Sequence, residues 1–194
     1  MQHVAALQLK DIMTHEVLQV QADSPVGDAA RMMVEHQVSC LLVQDGPRAQ
    51  GIVTERDIAA HARRGDMGAA VSTIMSRPVI TAPPTMSFTD AYERMLGHRI
   101  RHLVAVELDG TVCGIASESD FRTHIALALM RQVDDIKFVM DRGLSVATPD
   151  SSLADALDRM LDHSASYVLV MEGDRPLALL GERDLVQAIA AMPP

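Results

Sequence analysis

Two short segments of this chain combine residue types that bind small polar ligands. Each begins with a glycine, followed at three-residue steps by a hydroxyl residue and an aspartate: Thr54 and Asp57 in one, Ser117 and Asp120 in the other. A glycine lets a ligand approach the backbone closely, and a hydroxyl at the start of a helix lies where free N–H groups favour an anion. A carboxylate can accept two hydrogen bonds from a vicinal diol, as acidic residues do for ribose.

The same residues also have a purely structural interpretation. Thr54 and Ser117 can cap the N-terminus of a helix, and Asp57 and Asp120 can lie in its first turn and counter the helix dipole. Such caps are common. The two segments alone therefore leave both a ligand site and a pair of helix caps open.

Both segments belong to a longer pattern that occurs three times. In every copy an apolar residue and a Met precede an Asp-Ala pair, and the Met lies 15 residues before the Asp. The three pairs of landmarks are Ile12-Met13 with Asp28-Ala29, Ile74-Met75 with Asp90-Ala91, and Val139-Met140 with Asp155-Ala156. A repeated unit determines the architecture before any propensity argument.

Each copy predicts the element order β-α-β-β-α, and so an α/β fold. In the first copy we expect strands at Val17–Val20, Cys40–Val43 and Gly51–Val53, a first helix from Val26, and a second from about Glu55 to Arg63. Asp23 or Ser24 is expected to cap the first helix. The first strands of the other copies are expected at Val79-Ile80 and Leu144–Val146.

We assign residues 1–8 to an N-terminal tail, 9–66 to the first repeat, 67–131 to the second and 132–192 to the third. A unit of this size buries a modest fraction of its surface, so each copy should pack on a neighbour. Phe121 to Arg131 is expected to continue as a long helix near the second boundary.

Composition narrows the class of protein. A net charge of -9 argues against binding to nucleic acid or anionic membranes, which needs a basic face. No apolar stretch approaches the roughly 20 residues of a membrane helix, and the N-terminus lacks a signal peptide, so we expect a cytoplasmic protein. Cys40 and Cys113 lie in predicted strands and are expected to be small buried residues rather than a disulfide or metal ligands.

The three units resemble CBS domains, the repeats named after cystathionine β-synthase. The resemblance covers roughly Leu9 to Ile189 and rests on the Ile-Met pair, the Asp-Ala helix and the Gly-x-x-Thr/Ser-x-x-Asp segment. It implies that the first two repeats pair as a Bateman module with two clefts. It also implies that adenosine-containing ligands bind there, such as AMP, ADP, ATP or S-adenosylmethionine.

The resemblance assigns roles to particular residues. Asp57 and Asp120 would hold the ribose hydroxyls, and Thr54 and Ser117 would bind ribose or phosphate. The apolar groups that would flank the adenine are Val17, Val79 and Ile80.

Binding of a phosphate requires positively charged residues, and the repeats differ in the basic residues that they offer. Arg101 and His102 precede the second strand of the second repeat, where relatives place basic phosphate ligands, and Arg56 is a further candidate. Solvated surface charge is the alternative for both arginines. One basic pair predicts two unequal clefts.

The third copy departs from the pattern. Ala178 replaces the glycine and Gly181 replaces the hydroxyl residue, so only Asp184 remains. We expect a structural or dimerising role for this copy. It would pair with its equivalent in a second chain or with a fourth repeat.

One histidine lies at the C-terminal end of the first helix in each copy, at His36, His98 and His163. These are expected to interact with the helix dipole rather than bind metal, and pH sensing remains the alternative. No catalytic constellation, metal site or required cofactor is predicted.

The leading hypothesis is therefore a regulatory, ligand-sensing module. It would bind an adenosine ligand between repeats 1 and 2 and transmit a change to a dimer partner or effector domain. The alternative is a scaffold of the same fold that assembles dimers and binds nothing. The sequence does not distinguish AMP, ATP and S-adenosylmethionine.

Overall fold

A computed structural model of the protein describes residues 7–44, 48–129, 144–163 and 165–191, with the backbone alone at 125–129. The first repeat contains β1 (Gln19–Gln21), α1 (Val26–His36), β2 (Cys40–Gln44), β3 (Ala49–Thr54) and α2 (Glu55–Ala62). The second contains β4 (Thr81–Ala82), α3 (Phe88–His98), β5 (His102–Val106), β6 (Val112–Ser117) and α4 (Glu118–Leu129). The third contains β7 (Ser145–Ala147), α5 (Leu153–Asp162), β8 (Tyr167–Glu172), β9 (Arg175–Gly181) and α6 (Glu182–Ala190).

These elements confirm the predicted α/β fold and its order β-α-β-β-α. Each repeat forms a three-stranded sheet with its second strand in the centre. In the second and third sheets the first strand is parallel to the central strand and the last is antiparallel to it. The predicted pair Val139-Met140 and the last two residues of the helix expected to reach Arg131 lie outside the described residues.

Two local expectations were wrong. The first strands begin later than predicted, so Val17, Val79 and Ile80 precede β1 and β4 rather than form them. The cap of α1 is not Asp23 or Ser24, because Pro25 occupies the N-cap position and makes no side-chain bond. The free N–H groups of the helix are bonded instead by backbone carbonyls further along the chain: Val26 N donates to Ala69 O at 2.9 Å.

The described contacts divide the chain into two compact units that do not follow the repeats. The first unit holds Met1–Gln19, Leu42–Ile52 and Ser76–Met140, and the second holds Val20–Leu41, Val53–Met75 and Asp141–Pro194. The division passes through the first repeat and, between residues 75 and 76, through the start of the second, whereas the described elements of the third repeat lie within one unit.

The first unit has an apolar core built from the second repeat and the start of the first. Phe88 and Phe121 stack at a centroid distance of 5.1 Å, and Leu9, Ile12 and Met13 are buried with them. The first residues of the first repeat therefore contribute to the core of the second.

Leu7 and Gln8 share this arrangement, although we assigned them to a tail. Phe88 N donates to Leu7 O at 2.9 Å, and Gln8 forms an antiparallel bridge with Ser87. Further along, Thr14 and Ile115 exchange two backbone hydrogen bonds of 2.8 and 2.9 Å.

The first residues of the second repeat make the matching contacts. In the second unit, Ala70 bridges Pro25 and Val71 N donates to Ser24 O at 2.8 Å. In the first unit, Ser76 and Ile52 exchange hydrogen bonds of 2.8 and 3.1 Å. We call residues 7–14 and 69–76 the leading segments, since each pairs with the other repeat at corresponding positions.

The second unit joins the helices of the first repeat to the third repeat. Helix α6 packs against α1 and α2. Its core includes Ala59 of α2 together with Leu157, Met160, Val168 and Leu185 of the third repeat. The third repeat therefore packs through its helices on the first.

Gly114 has a role other than the one expected from its motif. A Cβ built at Gly114 would lie 2.5 to 2.9 Å from the side chain of Met13. The room that we reserved for a ligand is therefore filled by a buried side chain of the first leading segment.

We predict that Gly114→Val lowers the free energy of unfolding by about 1–3 kcal/mol, because overpacking drives core side chains from their preferred rotamers. Urea unfolding measures the change. Gly97→Val is the control, since nothing lies within 4 Å of a Cβ there. Unchanged stability in Gly114→Val would mean that Met13 moves aside at no cost.

Candidate functional site

The candidate site is the junction where the third strand of a repeat passes directly into its second helix. At each junction the aspartate of the motif accepts a hydrogen bond from the backbone three residues earlier. The Oδ2 atoms of Asp57, Asp120 and Asp184 accept from the preceding N–H at 2.8, 2.7 and 2.7 Å. All three repeats therefore use the carboxylate as a helix cap.

The hydroxyl residues of the first two repeats add a second bond to the same oxygen. Thr54 Oγ1 donates to Asp57 Oδ2 at 2.7 Å, and Ser117 Oγ donates to Asp120 Oδ2 at 2.7 Å. These residues therefore cap their helices, as the structural interpretation predicts. The cap of the second repeat is compatible with a ligand, because Asp120 Oδ1 accepts no hydrogen bond from any residue that the structure describes.

Strand register brings Arg101 and His102 to the junction of the second repeat. His102 lies opposite Ser117 in the antiparallel pair β5–β6, and Arg101 O accepts the first helical N–H, from Glu118, at 2.8 Å. The predicted hydroxyl, carboxylate and basic residues of this repeat thus lie together at one helix N-terminus.

His102 is not the cation that the sequence suggested. Burial, and then the charge of Arg101, lower its pKa to about 4, although Asp120 acts in the opposite direction. At neutral pH the imidazole is therefore uncharged and can offer only a neutral hydrogen bond. The positive charge of this junction comes from Arg101.

The first repeat has the same backbone at its junction but different electrostatics. Glu55 N donates to Ser39 O at 3.0 Å, which places uncharged residues where the second repeat has Arg101 and His102. Burial, followed by the charge of Glu55, raises the pKa of Cys40 to about 12. This junction carries a neutral thiol in the place of His102 and has no arginine in the place of Arg101, whereas Glu55 has an acidic counterpart in Glu118.

Arg56, our second candidate for binding phosphate, instead contacts residues of the third repeat. Its Nε lies 2.7 Å from Glu182 Oε1, and its guanidinium also donates to Ala165 O at 3.1 Å. Glu182 is only 6% exposed. Arg56 therefore joins the first repeat to the third.

A second ion pair mirrors this contact. Arg183 Nε lies 3.4 Å from Glu55 Oε1, and the same guanidinium donates to Gln37 O at 2.7 Å. Sequence reasoning missed both pairs. The available signal was the tripeptide Glu-Arg-Asp, which occurs at 55–57 and 182–184 but reads Glu-Ser-Asp at 118–120.

The three apolar residues predicted to flank an adenine, Val17, Val79 and Ile80, are half-buried. Ile80 packs against the core of the first unit, and its carbonyl accepts from Val104 N at 3.3 Å. Their contact with an adenine remains a prediction.

The junction of the third repeat is filled by an aromatic ring. A Cβ at Gly181 would lie 3.0 Å from a ring carbon of Tyr167, and Tyr167 stands opposite Gly181 in the sheet. The glycine that replaces the hydroxyl residue thus accommodates Tyr167.

An apolar cavity of about 170 Å³ lies in the second unit, away from these junctions. Its walls come from α2, α5 and α6 and include Ala59, Leu153, Leu157, Leu185, Ala188 and Ile189. The one charged residue in the lining, Arg63, forms an ion pair with Asp158. Such walls offer little to recognise a ribose or a phosphate.

Other candidate chemistry is sparse within the described residues. Their His, Cys, Asp and Glu side chains form no group of three or more that could hold a metal ion. Cys40 and Cys113 lie in β2 and β6, are half-buried and are not joined in a disulfide. Over the same part of the chain, no helix is long and apolar enough to cross a membrane.

Comparison with known proteins connects this architecture to a family. The family model described as "CBS domain" matches residues 9–64, 71–127 and 133–191. The CBS domain-containing protein YhcV of Bacillus subtilis is 34% identical over 118 residues, which are 60% of this chain and 84% of YhcV. Inosine-5'-monophosphate dehydrogenase of Nitrosopumilus maritimus is 29% identical over 114 residues, but this match spans only 23% of the enzyme.

Solved structures show the same fold. Protein MJ1225 from Methanocaldococcus jannaschii, proposed as an archaeal homolog of g-AMPK, aligns with a TM-score of 0.80 at 20% identity, covering 95% of this chain and 73% of that one. The CBS domain pair of protein MJ0100, solved with 5′-methylthioadenosine and S-adenosyl-L-methionine, aligns with a TM-score of 0.59 at 23% identity. That match covers 63% of this chain and 98% of the pair.

We predict that Arg56→Ala lowers the free energy of unfolding by about 2–3 kcal/mol, because it leaves the buried Glu182 carboxylate without its arginine. Arg183→Ala is the matched control. Arg183 and Glu55 are 52% and 12% exposed, against 29% and 6% for Arg56 and Glu182, so the loss of Arg183 should cost less than the loss of Arg56. Urea unfolding of both variants makes the comparison, and equal losses would refute the distinct role of Arg56.

His102 should make stability depend on pH. Its pKa in the folded protein, about 4, lies below the unfolded value of about 6.5, so the unfolded state binds more protons between these pH values. The stabilisation is complete above pH 6.5 and is lost as pH falls towards 4, by up to about 3 kcal/mol.

Urea unfolding of wild type and His102→Gln across this range tests the effect. The advantage of wild type over the variant should shrink as pH falls. Parallel profiles for wild type and His102→Gln would contradict the assignment.

Proposed function

This chain belongs to the CBS domain family, and we propose that it is a regulatory module that binds an adenosine-containing ligand at the junction of its second repeat. The ligand class is AMP, ADP, ATP or S-adenosylmethionine. Binding would change the conformation of the module and act on an attached effector or a second copy. The proposal assigns no reaction to the chain.

The observation that carries this proposal is the grouping of Ser117, Asp120 and Arg101 at the N-terminus of α4. The cap occupies Asp120 Oδ2 and leaves Oδ1 for the ribose hydroxyls. A carboxylate is a suitable acceptor for a vicinal diol. Arg101 supplies the positive charge, and the helix N-terminus adds its dipole.

Electrostatics favour the second repeat over the first. Around Thr54 and Asp57 the positions of Arg101 and His102 hold Ser39 and Cys40, while Glu55 corresponds to Glu118 of the second repeat. A phosphate or another anionic group would meet no arginine in the place of Arg101 there. We therefore expect one strong site and one weak or empty site.

The solved CBS domain pair of MJ0100 supports the adenosine class, since that protein binds both 5′-methylthioadenosine and S-adenosyl-L-methionine. The two ligands share the adenosine and differ beyond it. We propose that the residues of this junction recognise the shared part, with Val79 and Ile80 beside the adenine.

Regulation requires that the ligand bind one conformation more tightly than another. The proposed ribose contacts, Ser117 and Asp120, lie at the end of β6 and in the first turn of α4, so binding would bias the position of this helix. The helix then transmits the difference to whatever packs against it.

A scaffold without a ligand is the second candidate function. It is favoured by the caps themselves, because Asp57 and Asp120 each stabilise a helix in the absence of any ligand. A scaffold needs these carboxylates for its helix caps and makes no use of their second oxygen atoms.

A thermal-shift titration with AMP, ADP, ATP and S-adenosylmethionine decides between these functions. A ligand at about 100 times its dissociation constant stabilises the folded state by roughly 2.7 kcal/mol. We predict that at least one of them raises the melting temperature of wild type. Asp120→Asn should abolish the shift, and Asp57→Asn should retain most of it.

The matched control is Asp184→Asn, which disturbs the same cap in the third repeat, where Gly181 N donates to Asp184 Oδ2 at 2.7 Å. It should melt earlier, as Asp120→Asn does, yet respond fully to the ligand. If no compound shifts wild type at millimolar concentration, the scaffold function replaces the sensor. If Asp184→Asn loses the ligand-induced shift as Asp120→Asn does, the effect comes from the damaged helix cap and not from the ligand site.

A further inference from the structure

The apolar cavity of about 170 Å³ lies where helices of the first and third repeats meet. Its walls come from α2, α5 and α6, all within the second unit. Leu157, Leu185 and Ile189 in the lining are buried, whereas Leu153 is 53% exposed. The cavity therefore has an apolar interior and one side that opens to solvent.

The equivalent place on the other side of this contact is closed. Aligning Asp28 with Asp155 and Glu55 with Glu182 makes α1 the counterpart of α5, and α2 the counterpart of α6. Helix α1 packs directly on α6, whereas α5 packs mainly on β7 and β8 of its own sheet. The cavity thus occupies the gap between α5 and α2, where the equivalent helices α1 and α6 are in contact.

The size of the side chains contributes to this difference. The cavity walls carry alanine at three positions where the counterpart carries a larger residue: Ala59, Ala62 and Ala188 against Val186, Ile189 and His61. The three larger residues are buried. Protein interiors are close-packed and contain few voids larger than a water molecule, so a space of this size can hold a small apolar group.

Arg63 is the polar group of this lining. It lies at the C-cap of α2 and forms an ion pair with Asp158, in which the two side chains are 48% and 38% exposed. An ion pair so exposed contributes little stability. A guanidinium has five N–H donors and binds carboxylates through two of them. Arg63 can therefore bind a further carboxylate at the edge of the cavity.

We propose that this cavity binds a small aliphatic carboxylate, with the chain against the apolar walls and the carboxylate at Arg63. An apolar cavity of about 150 Å³ can hold one benzene molecule, so the present volume suits a chain of about six carbons. The ligand would contact α2 of the first repeat and both helices of the third, and would stabilise their contact. The inference does not depend on the adenosine ligand, since Asp120 lies in the other unit.

Hexanoate is the probe, and NMR spectra of the full chain with labelled leucine and isoleucine methyl groups measure its binding without nucleotide. Hexanoate should shift the methyl resonances of Leu157, Leu185 and Ile189, and the shifts should saturate. It should bind more tightly than 1-hexanol or hexylammonium, because it alone combines the apolar chain with a negative charge for Arg63.

Variants test the two parts of the site separately. Ala62→Leu should raise the dissociation constant of hexanoate at least about tenfold, because the larger side chain fills the cavity. Ala60→Leu is the matched control, since Ala60 lies on the same helix, is half-buried and does not line the cavity. Arg63→Gln should weaken hexanoate about tenfold and 1-hexanol little, because it removes a hydrogen bond between charged groups.

Circular dichroism checks that each variant is folded, and Ala188→Leu, at an exposed position of the lining, replaces Ala62→Leu if the latter fails to fold. The absence of saturable shifts with hexanoate at tens of millimolar overturns the proposal. Hexanoate binding that persists in a folded Ala62→Leu or Ala188→Leu also overturns it, as does an equal loss in Ala60→Leu. Unchanged affinity in Arg63→Gln refutes the recognition of a carboxylate.

Discussion

One hydrogen bond recurs at the start of the second helix of every repeat, and the candidate site depends on it. An aspartate Oδ2 accepts from the backbone three residues earlier at 2.7 to 2.8 Å in all three copies. This bond ends the strand, starts the helix and holds the carboxylate in place before any ligand arrives. A carboxylate fixed in this way loses little conformational entropy on binding, which favours affinity. The same bond explains why the aspartate persists in the third repeat, where Tyr167 occupies the junction.

Two kinds of reciprocal contact then organise the repeats around these junctions. The leading segments connect the first two repeats through backbone hydrogen bonds at matching positions, such as Thr14 with Ile115 and Ser76 with Ile52. The third repeat is joined to the first differently, through paired Glu-Arg contacts between α2 and α6. This second contact uses helices rather than the leading segments. It commits Arg56, at the first junction, to Glu182 of the third repeat.

The sequence predicted what is local and periodic. The repeat gave the element order, and the three-residue step from Thr54 or Ser117 to the aspartate gave the caps. What it could not give depended on residues distant in the chain. Arg56 next to a candidate ribose ligand resembles a phosphate ligand until Glu182, 126 residues away, is placed against it. Gly114 resembles a ligand-binding glycine until Met13 is packed on it. His102 resembles a cation until its burial is known.

The central claim is that the junction of the second repeat holds an adenosine ligand by its ribose. Experimental structures of the chain crystallised with AMP and, separately, with S-adenosylmethionine test this claim most directly. The account predicts that in at least one of them the ribose hydroxyls lie within hydrogen-bond distance of the Asp120 carboxylate, with any phosphate near Arg101. A ligand seated elsewhere, such as in the apolar cavity of the second unit, would contradict it. So would crystals in which neither compound binds.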